Sequence, residues 1–217
     1  MGAYVGLRIV TLALALLTTA FVSSKESSVS ADWKVPASEA QLISQVETYF
    51  RKLKYLVAEF HQFVGNVVYG GKVWISKDGT LKVKIVYTFG VDQEILMVGD
   101  SIGVTDHSSG KKYTYSVSSV PLYTILTGKQ KLTPDTVKVI ENSTSGFVIM
   151  VKGSSVCSGG DLILIFTKYE LTGNIEGILG WKIGDGPKQT EFRFVRESVR
   201  VGDKRQIPDG TFPNGKS

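Results

Sequence analysis

The sequence predicts a mainly β protein with some α. It reads as a curled antiparallel sheet of about ten strands, an incomplete, half-open barrel, covered by a helical lid. Three observations predict it. Short runs of alternating apolar and polar residues recur along the chain, as in Leu81-Lys82-Val83-Lys84-Ile85, and alternation places one apolar face on each strand. Turn signals such as Gly65-Asn66 and Lys77-Asp78-Gly79-Thr80 separate these runs by a few residues, which favours antiparallel neighbours. Two segments instead carry apolar residues at helical spacing, and their greasy stripes need a surface to cover.

The first 24 residues stand apart. Arg8, the apolar run Ile9 to Val22 and then Ser23-Ser24-Lys25 form a charged start, a short apolar middle and a small-residue exit. This reads as a signal peptide over residues 1–24, with cleavage after Ala20 or near Ser24. The competing reading is a membrane anchor, but the run falls short of the roughly 20 residues that span a bilayer. Thr11, Thr18 and Thr19 also dilute it. Residues 25–217 are then a single β domain with a polar C-terminal tail, located in the periplasm.

The elements follow in order. Ser38 is a candidate cap with Gln41 at the capping-box position, and Leu42, Ile43, Val46, Tyr49, Phe50 and Leu53 form one helical stripe. Strands are predicted at 56–63, 67–76, 81–89, 93–98, 102–105 and 111–117. A short helix follows near Pro121 to Leu126, with Leu122, Ile125 and Leu126 on one face and Gly128 suited to end it. Strands resume at 136–142, 146–152, 161–169, 180–184 and 189–201. The run Leu162 to Phe166 is apolar throughout, as a strand covered on both sides is. In the last segment Phe192 and Phe194 share one parity while Val195, Val199 and Val201 share the other, so a bulge near Phe194-Val195 is expected. A single sheet of this length curls on itself, and its concave side is the place for both helical stripes.

Composition narrows the function. The chain has 217 residues, 21% of them charged and 42% hydrophobic, an ordinary globular balance. Without residues 1–24 and their Arg8, 24 Lys and Arg face 20 Asp and Glu, a net +4 that is dispersed. Lys111-Lys112 and Lys129-Gln130-Lys131 do not interleave with aromatics, so no nucleic-acid partner is expected. Cys157 is the single cysteine, so no internal disulfide forms. With only His61 and His107 beside it, neither a zinc site nor a cysteine nucleophile is supported. The chain reads as no enzyme, with no catalytic residues, no metal and no cofactor.

Several motifs, taken in order, resemble the periplasmic carriers of outer-membrane lipoproteins, the LolA family. After the first helix the carriers show Phe-x-Ala-x-Phe-x-Gln, matched by Leu56-Val57-Ala58-Glu59-Phe60-His61-Gln62. Their Gly-x-Leu-Trp-Val-Lys-Arg-Pro is matched by Gly71-Lys72-Val73-Trp74-Ile75-Ser76-Lys77-Asp78. A strand and turn follow at Ile95 to Ser101, a short helix after Pro121, and a late Leu179-Gly180-Trp181 with Thr190 after it. The likeness runs from about Leu42 to Val201. It implies a soluble monomeric carrier that shields lipoprotein acyl chains in an apolar cavity and ferries them from the inner to the outer membrane. Leu56, Phe60, Leu81, Val83, Ile85, Leu122, Ile125 and Leu126 are the implied acyl-chain cavity. The implied partners are acylated lipoproteins, an inner-membrane ABC-type release complex and an outer-membrane acceptor.

The departures fall at the proposed gate. The family carries arginine where this chain has Lys77, proline where it has Asp78, and large aromatics where it has Leu81 and Val83. The resemblance gives Lys77 the lid-gating role, although an ammonium lacks the planar bidentate fork of a guanidinium. The alternative to a carrier is an envelope-assembly or structural β domain of the same shape, its core filled and without lipid cargo.

Overall fold

The computed structural model describes residues 37–116, 121–152, 161–169, 175–184 and 189–202. The sequence readings on residues 1–24, Cys157 and the tail after Gly202 lie outside these.

Helix α1 spans Ala37–Lys52, with Glu39 in its first turn and Arg51 and Lys52 in its last, the charge order that suits the helix dipole. Ser38 falls inside the first turn, one residue after the helix start. Six strands follow: β1 (Tyr55–Val64), β2 (Val67–Ser76), β3 (Lys82–Phe89), β4 (Gln93–Val98), β5 (Ser101–Asp106) and β6 (Lys111–Ser116). Helix α2 (Pro121–Leu126) separates them from β7 (Val137–Asn142), β8 (Gly146–Val151), β9 (Leu162–Lys168), β10 (Ile175–Ile183), β11 (Thr190–Phe194) and β12 (Arg200–Gly202). Gly128 ends α2 as expected: its φ is 71° and its N–H donates to the Ile125 carbonyl at 3.0 Å.

The twelve described strands form one antiparallel sheet in the order β6-β5-β4-β3-β2-β1-β11-β10-β9-β8-β7, with β12 also paired to β1. Two meanders are therefore joined back to back through β1 and β11, where Phe60 faces Phe194 and Gln62 faces Phe192. The outer strands β6 and β7 do not pair with each other, so the sheet stays open. The connection between those two edges carries α2. The expected fold class, a curled open sheet with a helical cover, is the one observed.

One face of the sheet holds the core. Leu81, Ile85 and Tyr87 are buried, whereas Lys82 on the other face is exposed and Lys84 pairs with Glu94 at 3.2 Å. The concave residues of both meanders join the α1 stripe in a single hydrophobic cluster. Bulges bend the ladder between β2 and β3 at Gly70/Gly71, between β9 and β10, and on the edge strand β7. Gly71 is required by close approach: a Cβ there would meet the Val86 carbonyl oxygen at 2.3 Å and the Phe60 ring at 3.0 Å. Its missing side chain lets Phe60 meet Tyr87 edge-on across β2, with centroids 5.5 Å apart.

The predicted last strand is broken rather than bulged. β11 ends at Phe194, a 3-10 turn occupies Arg196–Ser198, and β12 resumes the pairing with β1. The Ser198 hydroxyl bridges the break, accepting from the Glu59 N–H and donating to the Val195 carbonyl, both at 2.7 Å. The turn absorbs the change in parity that a single extra residue was expected to supply. β10 likewise starts earlier than predicted, at Ile175, beyond two register shifts that hide its period.

Candidate functional site

Helix α1 buries Leu42, Ile43, Val46 and Phe50 against the concave face, with Val46 fully covered, and Leu53 of the link that follows is buried beside them. Tyr49 and Phe50 meet Phe166 of β9 edge-on, at 5.8 and 6.0 Å between centroids, and Phe166 stacks on Phe147 of β8 at 5.1 Å. A second aromatic chain crosses the join of the two meanders. Trp181 stacks on Phe192 at 5.1 Å, and Phe192 lies 5.4 Å from Phe60, which touches Tyr87. Of the eight residues assigned to the acyl-chain cavity, Leu56, Phe60, Leu81, Ile85, Ile125 and Leu126 are buried in this cluster. Val83 and Leu122 are half-buried and pack against it. All eight belong to one continuous apolar interior lined by sheet and helices.

Sequence reasoning did not assign Phe147, Phe166, Phe192 or Trp181 to this interior. The shared parity of Phe192 and Phe194 marked one face of β11, but only the β1–β11 pairing sets that face beside Phe60. Within the apolar floor sits one polar pair. The Tyr87 hydroxyl donates to Gln62 Oε1 at 2.6 Å, both residues being buried. Burial, with Tyr69 nearby, holds the Tyr87 hydroxyl protonated well above the ordinary tyrosine range.

Lys77 lies in the turn between β2 and β3, at the foot of α1. Its ammonium donates to the Phe50 carbonyl at 2.6 Å, satisfying one of the orphan acceptors of the last helical turn. Its backbone N–H donates to the Lys54 carbonyl at 2.7 Å, and Asp78 accepts from the Tyr55 hydroxyl at 2.7 Å. The β2–β3 turn is thus pinned at three points to the helix end and the strand after it. Partial burial lowers the Lys77 pKa from the ordinary lysine value, because the charged form loses hydration there.

A groove of about 590 Å³ runs beside α1. Ser44, Gln45, Thr48 and Lys52 of the helix form one wall, and Ile175 and Val201 belong to the other. None of the predicted cavity residues lines it. Among the described residues no cluster of three or more His, Cys, Asp or Glu side chains gathers to hold a metal ion. No described helix is long and apolar enough to cross a membrane. His61 and His107 are both exposed.

No family model matches the chain, and no curated protein matches it. Solved structures do. A LolA superfamily protein from Nitrosomonas europaea is one of them. It shares 13% identity at a TM-score of 0.37, over 78% of this chain and 95% of that one. LprF from Mycobacterium bovis matches at 11% identity and a TM-score of 0.45, over 77% and 98%. MucB matches at 12% identity and a TM-score of 0.45, over 81% of this chain and 64% of MucB, so this chain spans less than two thirds of that protein. At these identities and TM-scores the likeness is one of strand arrangement and carries no argument about ligand or partner.

Proposed function

We propose that this protein is a carrier that shields the acyl chains of a lipoprotein and ferries them across the periplasm from the inner to the outer membrane. The observation that supports it is the cover. The concave floor is faced by an amphipathic helix with its own covalent tether, the short link Leu53-Lys54, rather than by a second sheet. Lifting α1 breaks no strand pairing. It exposes four buried side chains, Leu42, Ile43, Val46 and Phe50, on the order of 10 kcal/mol of apolar burial. Each acyl CH₂ that enters returns about 0.8 kcal/mol, so about a dozen methylenes offset the helix. Cargo with two or three chains exceeds that, and a short single chain does not. In the cargo-free state the helix stripe and the aromatic rings occupy the room, which keeps the apolar floor from water. An inner-membrane ABC-type release complex and an outer-membrane acceptor are the partners that such a monomeric carrier needs.

The density of the interior favours a second reading, an envelope-assembly or structural β domain with no lipid cargo. Titration with a synthetic triacylated lipopeptide separates the two. Buried Trp181 is the reporter, in a Trp33→Phe, Trp74→Phe background. The carrier gives a saturable 1:1 change in emission and speeds lipopeptide transfer between two vesicle populations. An emission that never saturates leaves the filled domain. Binding without faster transfer removes the ferrying role.

A further inference from the structure

The groove beside α1 has a chemistry that the concave floor lacks. Its helix wall is polar and its other wall is apolar at Ile175 and Val201. It opens near the run Arg51-Lys52-Leu53-Lys54, where Arg51, Lys52 and Lys54 are exposed and Lys77 lies close by against Phe50. None of these four cations forms an ion pair among the described residues. Of these four, Lys52 is the one that lines the groove. Gln45 Oε1 in the helix wall is buried without a hydrogen-bond partner, and the buried Tyr49 hydroxyl has the Ile178 backbone beside it. Burial pushes the Tyr49 pKa up to about 12, so at neutral pH this hydroxyl keeps its proton and can donate it to a ligand. The volume, about 590 Å³, lies within the roughly 300–1,000 Å³ usual for small-ligand sites.

We infer that this groove binds a single-chain anionic amphiphile, a long-chain carboxylate. Its head lies at Lys52 and takes the Tyr49 hydrogen bond, and its tail runs along Ile175 and Val201. A carboxylate accepts only, so its partners in this wall are the Lys52 ammonium and the Ser44, Thr48 and Tyr49 hydroxyls, while Gln45 Oε1 needs a donor that this ligand does not supply. The apolar wall explains why a small anion is not enough. The groove lies beside the helix rather than beneath it, so this site stands whether or not acyl cargo enters the concave floor.

Calorimetry on the chain without residues 1–24 tests it with three probes: oleate below micelle formation, oleyl alcohol with the same tail and no charge, and inorganic phosphate as a head without a tail. Oleate binds 1:1, the alcohol binds at least about tenfold more weakly, and phosphate shows no saturable heat. Lys52→Glu weakens oleate by about tenfold or more and Ser44→Trp removes binding by filling the groove, while both leave the lipopeptide titration unchanged. Both positions are exposed, so neither change threatens the fold. Equal affinity for oleate and its alcohol overturns the inference, as does oleate binding that survives both substitutions.

Discussion

The Lys77 ammonium stands 2.6 Å from the Phe50 carbonyl oxygen and so ties the β2–β3 turn to the last turn of α1. The two residues are 27 positions apart. Removing the donor loosens the helix end without touching its apolar stripe. Lys77→Met keeps the aliphatic stem and costs about 1 kcal/mol, the partial exposure of the lysine limiting the loss. Amide hydrogen exchange in α1 rises, most in the last turn. Unchanged exchange there would show that the contact holds nothing.

The alkaline limb of stability carries two opposite contributions. The Lys77 pKa is lowered by burial, so between that lowered value and the ordinary 10.5 the unfolded chain binds more protons, and this residue adds stability as pH rises. Tyr49 is raised from 10.0 to about 12, so its contribution is full below 10.0 and is lost as pH climbs to about 12. Tyr87 is raised further still and acts in the same sense. Urea midpoints taken from pH 9 to pH 12 therefore fall more steeply in the parent than in Tyr49→Phe. Parallel curves would exclude Tyr49 as a buried titrating group.

At neutral pH Tyr49→Phe removes a buried hydroxyl whose one neighbour is the Ile178 backbone, too poorly aligned for a close hydrogen bond, so stability changes by no more than about 1 kcal/mol. A clear loss would mean that the hydroxyl is satisfied in solution.

Tyr87→Phe strands Gln62 Oε1 in an apolar floor and costs about 1–3 kcal/mol. Adding Gln62→Leu recovers part of that loss, because both polar partners are then gone. A double-mutant cycle read by urea unfolding checks this, and strict additivity of the two losses would refute the coupling.

Phe166 is where α1 meets the sheet, in contact with Tyr49, Phe50 and Phe147. Phe166→Ala costs about 3–5 kcal/mol and leaves a void under the helix. If acyl chains use that floor, the same variant binds lipopeptide more tightly, since the helix no longer has to clear the room. Weaker binding together with lower stability would favour the packed, cargo-free domain.

The sequence by itself determined the local periods. Alternation at 81–87 placed Leu81, Ile85 and Tyr87 inside, and the stripe from Leu42 to Leu53 marked the buried side of α1, because side-chain direction within one element depends only on its own backbone. It also marked Pro121 to Leu126 as a helix ended by Gly128. The broken last strand was hidden, since a turn of Arg196–Ser198 and a bulge give similar parity changes in a string of letters. The tertiary structure decided the joining of β1 to β11, the meeting of Phe60 with Phe192, and the reach of Lys77 to Phe50. It also decided that the predicted cavity residues share their space with aromatic rings from the second meander, and that a polar-walled groove lies beside the helix. These are contacts between segments far apart in the chain. They depend on how a long sheet curls, which no single strand's pattern encodes.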